Sequence, residues 1–167
     1  MVSPEGMDGH ERAPQVDRIS GIGTRRGVRR RHGSDDGRSH RAAAVTVRIR
    51  FADLQPVGTH LFWVHLRTHD YQWDAVVTSK PGHRAGQRYF QGDDGSKRCA
   101  GFTRTVDYAD DVVSMRIPGS CLHDAAWVRL GVFNELYYSQ KGPSYFDNPT
   151  THRQLGHQTP RLLVPQT

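Results

Sequence analysis

The chain of 167 residues carries 23 Lys and Arg against 17 Asp and Glu, a net charge of +6. That length suits one domain with a core of its own, and no stretch approaches the roughly 18 consecutive apolar residues of a membrane-spanning helix. The basic residues are nearly all Arg, a bias that coding composition also produces, so the charge alone does not argue for nucleic acid.

Residues 1–44 contain no Phe, Trp or Tyr and are rich in Gly, Arg, Asp, Ser and His, without a sustained period. Such a segment buries too little apolar surface to offset its ordering entropy. The expectation is a disordered N-terminal arm with at most one ragged strand near Val28. Its cluster Arg25-Arg26-Gly27-Val28-Arg29-Arg30-Arg31-His32 reads either as a contact for nucleic acid or an anionic surface, or as a solvated charged tail. Asp35 and Asp36 follow at once and no aromatic interleaves for base stacking, which favours the tail. Met1 to Asp17 shows no apolar h-region of a signal peptide.

A folded domain is expected over 45–167. Val45, Val47, Ile49 and Phe51 alternate with Thr46, Arg48 and Arg50, the period of a strand with one buried face. After the turn residues Asp53 to Gly58, a second strand is expected over Leu61 to Arg67, with Phe62, Val64 and Leu66 on one face and Trp63, His65 and Arg67 on the other. Trp73 to Ser79 reads as a third strand ended by Lys80-Pro81-Gly82, and Gln87 to Gln91 as a short fourth.

Phe102 to Val106 and Val112 to Ile117 flank the acidic turn Asp107-Tyr108-Ala109-Asp110-Asp111, a β-hairpin pattern. Cys99 and Cys121, the only cysteines, fall at its two open ends. Antiparallel pairing would bring them within bridging distance, and closing such a loop is worth about 3 kcal/mol in the chain-entropy model. The alternative is two reduced, unrelated thiols. A bridge implies an oxidising compartment, against which stands the missing h-region. Trp127 to Phe133, with Val128, Leu130 and Val132 on one face, is expected to extend the hairpin's sheet. Leu136 to Ser139, the pair Tyr145-Phe146 and Arg161 to Val164 offer a further strand, an apolar anchor and an edge strand. No amphipathic helix is apparent. Seven or eight short strands between turn signals describe an all-β antiparallel β-sandwich, Ig-like or jelly-roll-like.

The runs Val45-Thr46-Val47-Arg48-Ile49-Arg50-Phe51-Ala52-Asp53-Leu54, Val106-Asp107-Tyr108-Ala109-Asp110-Asp111, Ile117-Pro118-Gly119-Ser120-Cys121-Leu122 and Trp127-Val128-Arg129-Leu130-Gly131-Val132 resemble small secreted β-sandwich proteins of unknown function from high-GC Gram-positive bacteria. Tyr145-Phe146-Asp147-Asn148 and Thr159-Pro160-Arg161-Leu162 resemble the C-terminal end of the same family. The likeness runs over roughly residues 45–164 and rests on turns, core positions and the cysteine pair. It implies a secreted sandwich with a hairpin disulfide and implies no activity. Members open with a signal peptide and an early strand, from which the Arg-rich opening departs.

Candidate chemistry is sparse, and no cofactor is expected. His60, His65 and His69 suggest zinc or copper, yet strand parity puts His60 and His65 on opposite faces and His69 in a turn. Asp93-Asp94 and Asp107 with Asp110-Asp111 have carboxylates for calcium without the spacing of a calcium loop. Ser120 lacks a GxSxG context. Glu135 is the only glutamate beyond residue 44, so a glycosidase Glu pair cannot form within the domain, although an Asp could still take part.

Aromatics supply the best binding hypothesis. Trp63 and Trp73, with Tyr71, and the cluster Tyr137, Tyr138, Tyr145 and Phe146 would stack on sugar rings or dock a protein. The competing reading puts Trp63 and Trp73 in the core, with the tyrosines covering its edge. The reading adopted is a non-enzymatic module, binding or structural, secreted or at the cell surface, with cell-wall glycan or a surface protein as its partner. A hydrolase or accessory enzyme domain with an Asp-rich loop, and nucleic-acid binding through the Arg-rich arm, are the alternatives.

Overall fold

The computed structural model describes residues 16–19, 44–93, 95–139, 142–147 and 159–164. Two antiparallel sheets face one another across the core. The smaller consists of β1 (Val16–Ile19), β2 (Ala44–Phe51), β7 (Thr103–Asp107) and β8 (Val112–Pro118), in the order β1-β2-β8-β7. The larger has the order β10-β9-β3-β4-β5-β6, from β3 (Thr59–Arg67), β4 (Gln72–Lys80), β5 (His83–Gly92), β6 (Gly95–Ser96), β9 (Trp127–Tyr137) and β10 (Ser144–Asp147), and β11 (Leu162–Leu163) adds to β9. The expected sandwich is therefore present.

Period-two patterning explains both central pairs. In β2 the buried residues are Val45, Val47, Ile49 and Phe51, and across the register Val45 meets Ile117, Val47 meets Met115 and Ile49 meets Val113. In the facing sheet Leu66 lies opposite Leu130 and Val64 opposite Val132. A one-residue slip in either pair would turn every one of these side chains to solvent. Phe51 meets Phe62 edge-on across the sandwich at 5.6 Å.

Chain crossings between the sheets link the two pairs. Residues 52–58 carry β2 over to β3, and the 3₁₀ turn Gly119–Leu122 carries β8 toward β9. The first crossing is pinned where the Leu54 N–H donates to Asp111 Oδ1 at 2.8 Å. It ends at Gly58, whose φ of +50° and approach to the Tyr137 carbonyl leave no room for a Cβ.

Several expectations need correction. Trp127–Tyr137 does not extend the hairpin's sheet; it pairs with β3 in the opposite one. Both edges of β8 are occupied, by β7 and β2, so the next strand must cross. Leu136 is not a separate strand, because the alternation of β9 runs unbroken through it. The fourth strand is longer than Gln87 to Gln91, spanning His83–Gly92. Tyr145-Phe146 lies within β10, and the expected C-terminal edge strand is present as β11. Within the arm, Val16–Ile19 pairs with β2; the expected ragged strand near Val28 and the Arg25–His32 cluster lie outside the described residues.

The hairpin is stapled as expected. Cys99 and Cys121 form a disulfide with Cα atoms 5.4 Å apart, the bond of a chain matured in an oxidising compartment. No helix among the described residues is long and apolar enough to cross a membrane. Replacing both cysteines by Ala should lower unfolding free energy by about 3 kcal/mol, read as a lower urea midpoint with the strand circular dichroism retained below it. An unchanged midpoint would show that the loop is held by its packing alone.

Candidate functional site

The strongest candidate lies at the end of the sandwich beside the disulfide. There the β3–β4 turn, the end of β5 and the segments flanking Cys99 and Cys121 enclose a groove of about 660 Å³. Its floor is Trp73 stacked on Phe90 at 5.4 Å. Trp73 faces the core by strand parity and is only 6 % exposed, and its indole Nε1 is buried with no hydrogen-bond partner among the described residues.

His123 builds the rest of the shelf. The 3₁₀ turn ends in a left-handed residue, His123 at φ 54°, whose N–H donates back to the Gly119 carbonyl and whose ring lies over the groove. It stacks on Tyr71 at 4.6 Å and on Trp73 at 5.4 Å, with interplanar angles of 22° and 20°. Tyr71 is 45 % exposed, and a local ST turn fixes it: its N–H donates to Thr68 Oγ1, and Thr68 N–H and Oγ1 donate to the Tyr71 carbonyl. Asp70, Gln72 and Asp93 put acceptors and an amide on the rim; Lys97 and Arg98 add donors. Ser120 and Cys121 complete the wall. An apolar aromatic shelf edged by mixed hydrogen-bonding groups is suited to a ligand with a flat apolar face and hydroxyls around its edge.

The four aromatic residues singled out in the sequence do not converge. Trp73 forms the groove floor. Trp63 lies half-buried on the outer face of the large sheet, opposite Phe133 and Val76. Tyr137 closes β9, and Tyr138 meets Tyr145 edge-on at 6.2 Å, far along the sandwich from Trp73 at the opposite end of β3. His123, Phe90, Lys97 and Arg98 went unread. Their only signal in sequence was adjacency to the cysteines and to a turn, which does not say that a ring will fold back.

Two carboxylates of the acidic turn are engaged by backbone N–H groups. Asp107 Oδ1 accepts from the N–H groups of Ala109 and Asp110 at 3.0 and 3.1 Å, while Asp111 holds Leu54. Asp94 lies outside the described residues. Among the described residues no three His, Cys, Asp or Glu side chains gather as a metal site would require. Neither protein-family models nor curated proteins give a match to this sequence.

Two histidines titrate away from their ordinary range, in opposite directions. His60 is fully buried on the inner face; burial pushes its pKa down, and the bond to the Gln55 carbonyl at 3.0 Å offsets this only in part. Ser79, its cross-strand neighbour, bonds Tyr108 Oη at 2.6 Å rather than the imidazole, so no serine–histidine pair forms. His65 sits on the outer face and donates through Nδ1 to Asp74 Oδ1 at 2.7 Å, which raises its pKa. Burial pushes Asp74 up, but the bonds from His65 and Gln91 and the charge of His65 more than offset this and leave it lowered.

The signs follow from linkage. Below about pH 6.5 the unfolded chain protonates at residue 60 while the folded one resists, so His60 costs stability on acidification. His65 contributes stability that is fully present below the same pH and lost as pH rises through its higher folded pKa. Between pH 7.5 and 5.5, each about one unit from the unperturbed value, His60→Gln should flatten the acid decline of the denaturation midpoint. His65→Gln should steepen it. Parallel pH profiles for both variants and the parent would contradict the assignment.

Proposed function

We propose that this chain is a non-enzymatic binding module, secreted or displayed at the cell surface, whose groove takes a pyranose ring of a cell-wall glycan. The observation that carries the reading is the Tyr71–His123–Trp73 stack. It presents ring faces for the apolar face of a sugar, while Asp70 and Arg98 stand where equatorial hydroxyls would reach. The disulfide agrees with an extracellular setting, as does the resemblance of residues 45–164 to small secreted proteins. A hydrolase has less support, because Asp107 and Asp111 of the acidic turn are occupied with backbone bonds.

Isothermal titration with soluble fragments from a mutanolysin digest of high-GC Gram-positive cell wall tests the proposal. Saturable binding is expected, weakened about fivefold or more in Tyr71→Ala and His123→Ala, since one lost stacking contact is worth roughly 1 kcal/mol or more. Tyr138→Ala, at the far end, should bind as the parent does. No binding, or equal loss in Tyr138→Ala, would overturn the groove as the site. Release of reducing ends from the fragments would overturn the non-enzymatic reading.

A further inference from the structure

The outer face of the large sheet carries an apolar row that the single chain leaves partly bare. Read across the strands, the row is Phe133 on β9, Trp63 on β3, Val76 on β4 and Tyr89 on β5, with each neighbour fixed by the register. Phe146 on β10 extends it by stacking on Phe133 at 5.3 Å. Tyr89 is 51 % and Phe146 59 % exposed. The outer face of a sandwich is ordinarily polar, and a contiguous apolar strip there marks an interface.

We infer that this face pairs with the same face of a second copy, about a two-fold axis lying along the strands between β3 and β4. Such an axis exchanges β3 with β4 and β9 with β5 while keeping each cross-strand row at its own height. Four rows are then complementary. In the apolar row, Trp63 lies over the partner's β4 at Val76, which its own chain already buries, and Phe133 covers the exposed Tyr89. In the next, His65 meets Asp74, so the intramolecular pair at 2.7 Å becomes a four-membered network. One row on, Arg67 meets Gln72 and Arg129 meets Asp93. In the opposite direction, Leu61 meets Thr78 and Glu135 meets Gln87.

Charge complementarity is sharpest at Arg129. It lies opposite Arg67 within the chain, a like charge as its cross-strand neighbour. Asp93 follows Gln91 in the alternation of β5 and acts on His65 through its charge, so it borders the same face. The two-fold supplies to Arg129 the carboxylate that its own sheet withholds. Size fits as well: the nine residues of β3 at about 3.3 Å each, across the four exchanged strands about 4.8 Å apart, make roughly 570 Å² per copy. Counted over both copies that is about 1,100 Å², above the ~1,000 Å² a specific interface needs and at the weak, concentration-dependent end of the range.

Sedimentation velocity on the full chain tests this. At about 100 µM the parent should sediment as a dimer, twice the 18.9 kDa chain mass, and dissociate on dilution toward about 1 µM. Tyr89→Glu alters an exposed side chain, so the fold should be kept while the dimer is lost. Arg129→Glu should also give monomer, and adding Asp93→Lys to it should restore the dimer. A parent that stays monomeric at the higher concentration, whether because a segment of its own chain or nothing at all covers the face, overturns the inference. A dimer indifferent to Tyr89→Glu and Arg129→Glu overturns it equally, since a different surface would be responsible.

Discussion

The pairing of β2 with β8 is the constraint on which the rest depends. Three consecutive inward positions on each strand, Val45, Val47 and Ile49 against Ile117, Met115 and Val113, are fully buried or nearly so. Because the side-chain period is two, only one register buries all six. That register places β7 on the far edge of β8, sets the hairpin's open end opposite the end of β5, and so determines where Cys99 and Cys121 meet. With both edges of β8 filled, the chain has to cross to the other sheet, and it does so through a tight turn that leaves His123 in a left-handed conformation above Trp73.

The groove is thus a by-product of closing the sandwich. Trp73 is a core residue whose outer edge has not been covered, and Tyr71 and His123 are turn residues held by local bonds and by the disulfide-bearing segment. Rigid turns at the end of a packed scaffold are where binding groups are held at low entropic cost. The outer face of the large sheet is a separate matter. Its apolar row would be a poor choice for a surface always in water.

How much of this the sequence disclosed follows from what fixes each feature. Strands β2, β3, β4 and β8 were legible to within a residue or two, because their burial alternates cleanly and turn residues bound them. The disulfide was legible because the cysteines flank one hairpin. The sheet to which Trp127–Tyr137 belongs was not, since alternation says which face is buried and nothing about which strand lies alongside. The length of β5 was hidden by its exposed residues: as an edge-side strand it buries only Gly86 and Phe90 among its ten positions, so its hydrophobic pattern is nearly silent. Trp63 and Trp73 illustrate the same limit in the site. Counting in twos puts them on opposite faces of adjacent strands, yet only tertiary closure shows that one floors a groove and the other centres an apolar row.

The chain's three tryptophans occupy the groove floor, the outer row and the start of β9, where the Arg161 guanidinium covers Trp127 at 4.4 Å. Their indole N–H resonances, assigned one by one through Trp→Phe variants, therefore report on the three places separately. The most direct test of the central claim is a titration of the ¹⁵N-labelled protein with soluble cell-wall fragments while these three signals are followed. A saturable shift of the Trp73 resonance, with Trp127 unmoved, is the result the account predicts. Saturable binding that shifts Trp63 or Trp127 and leaves Trp73 in place would contradict it.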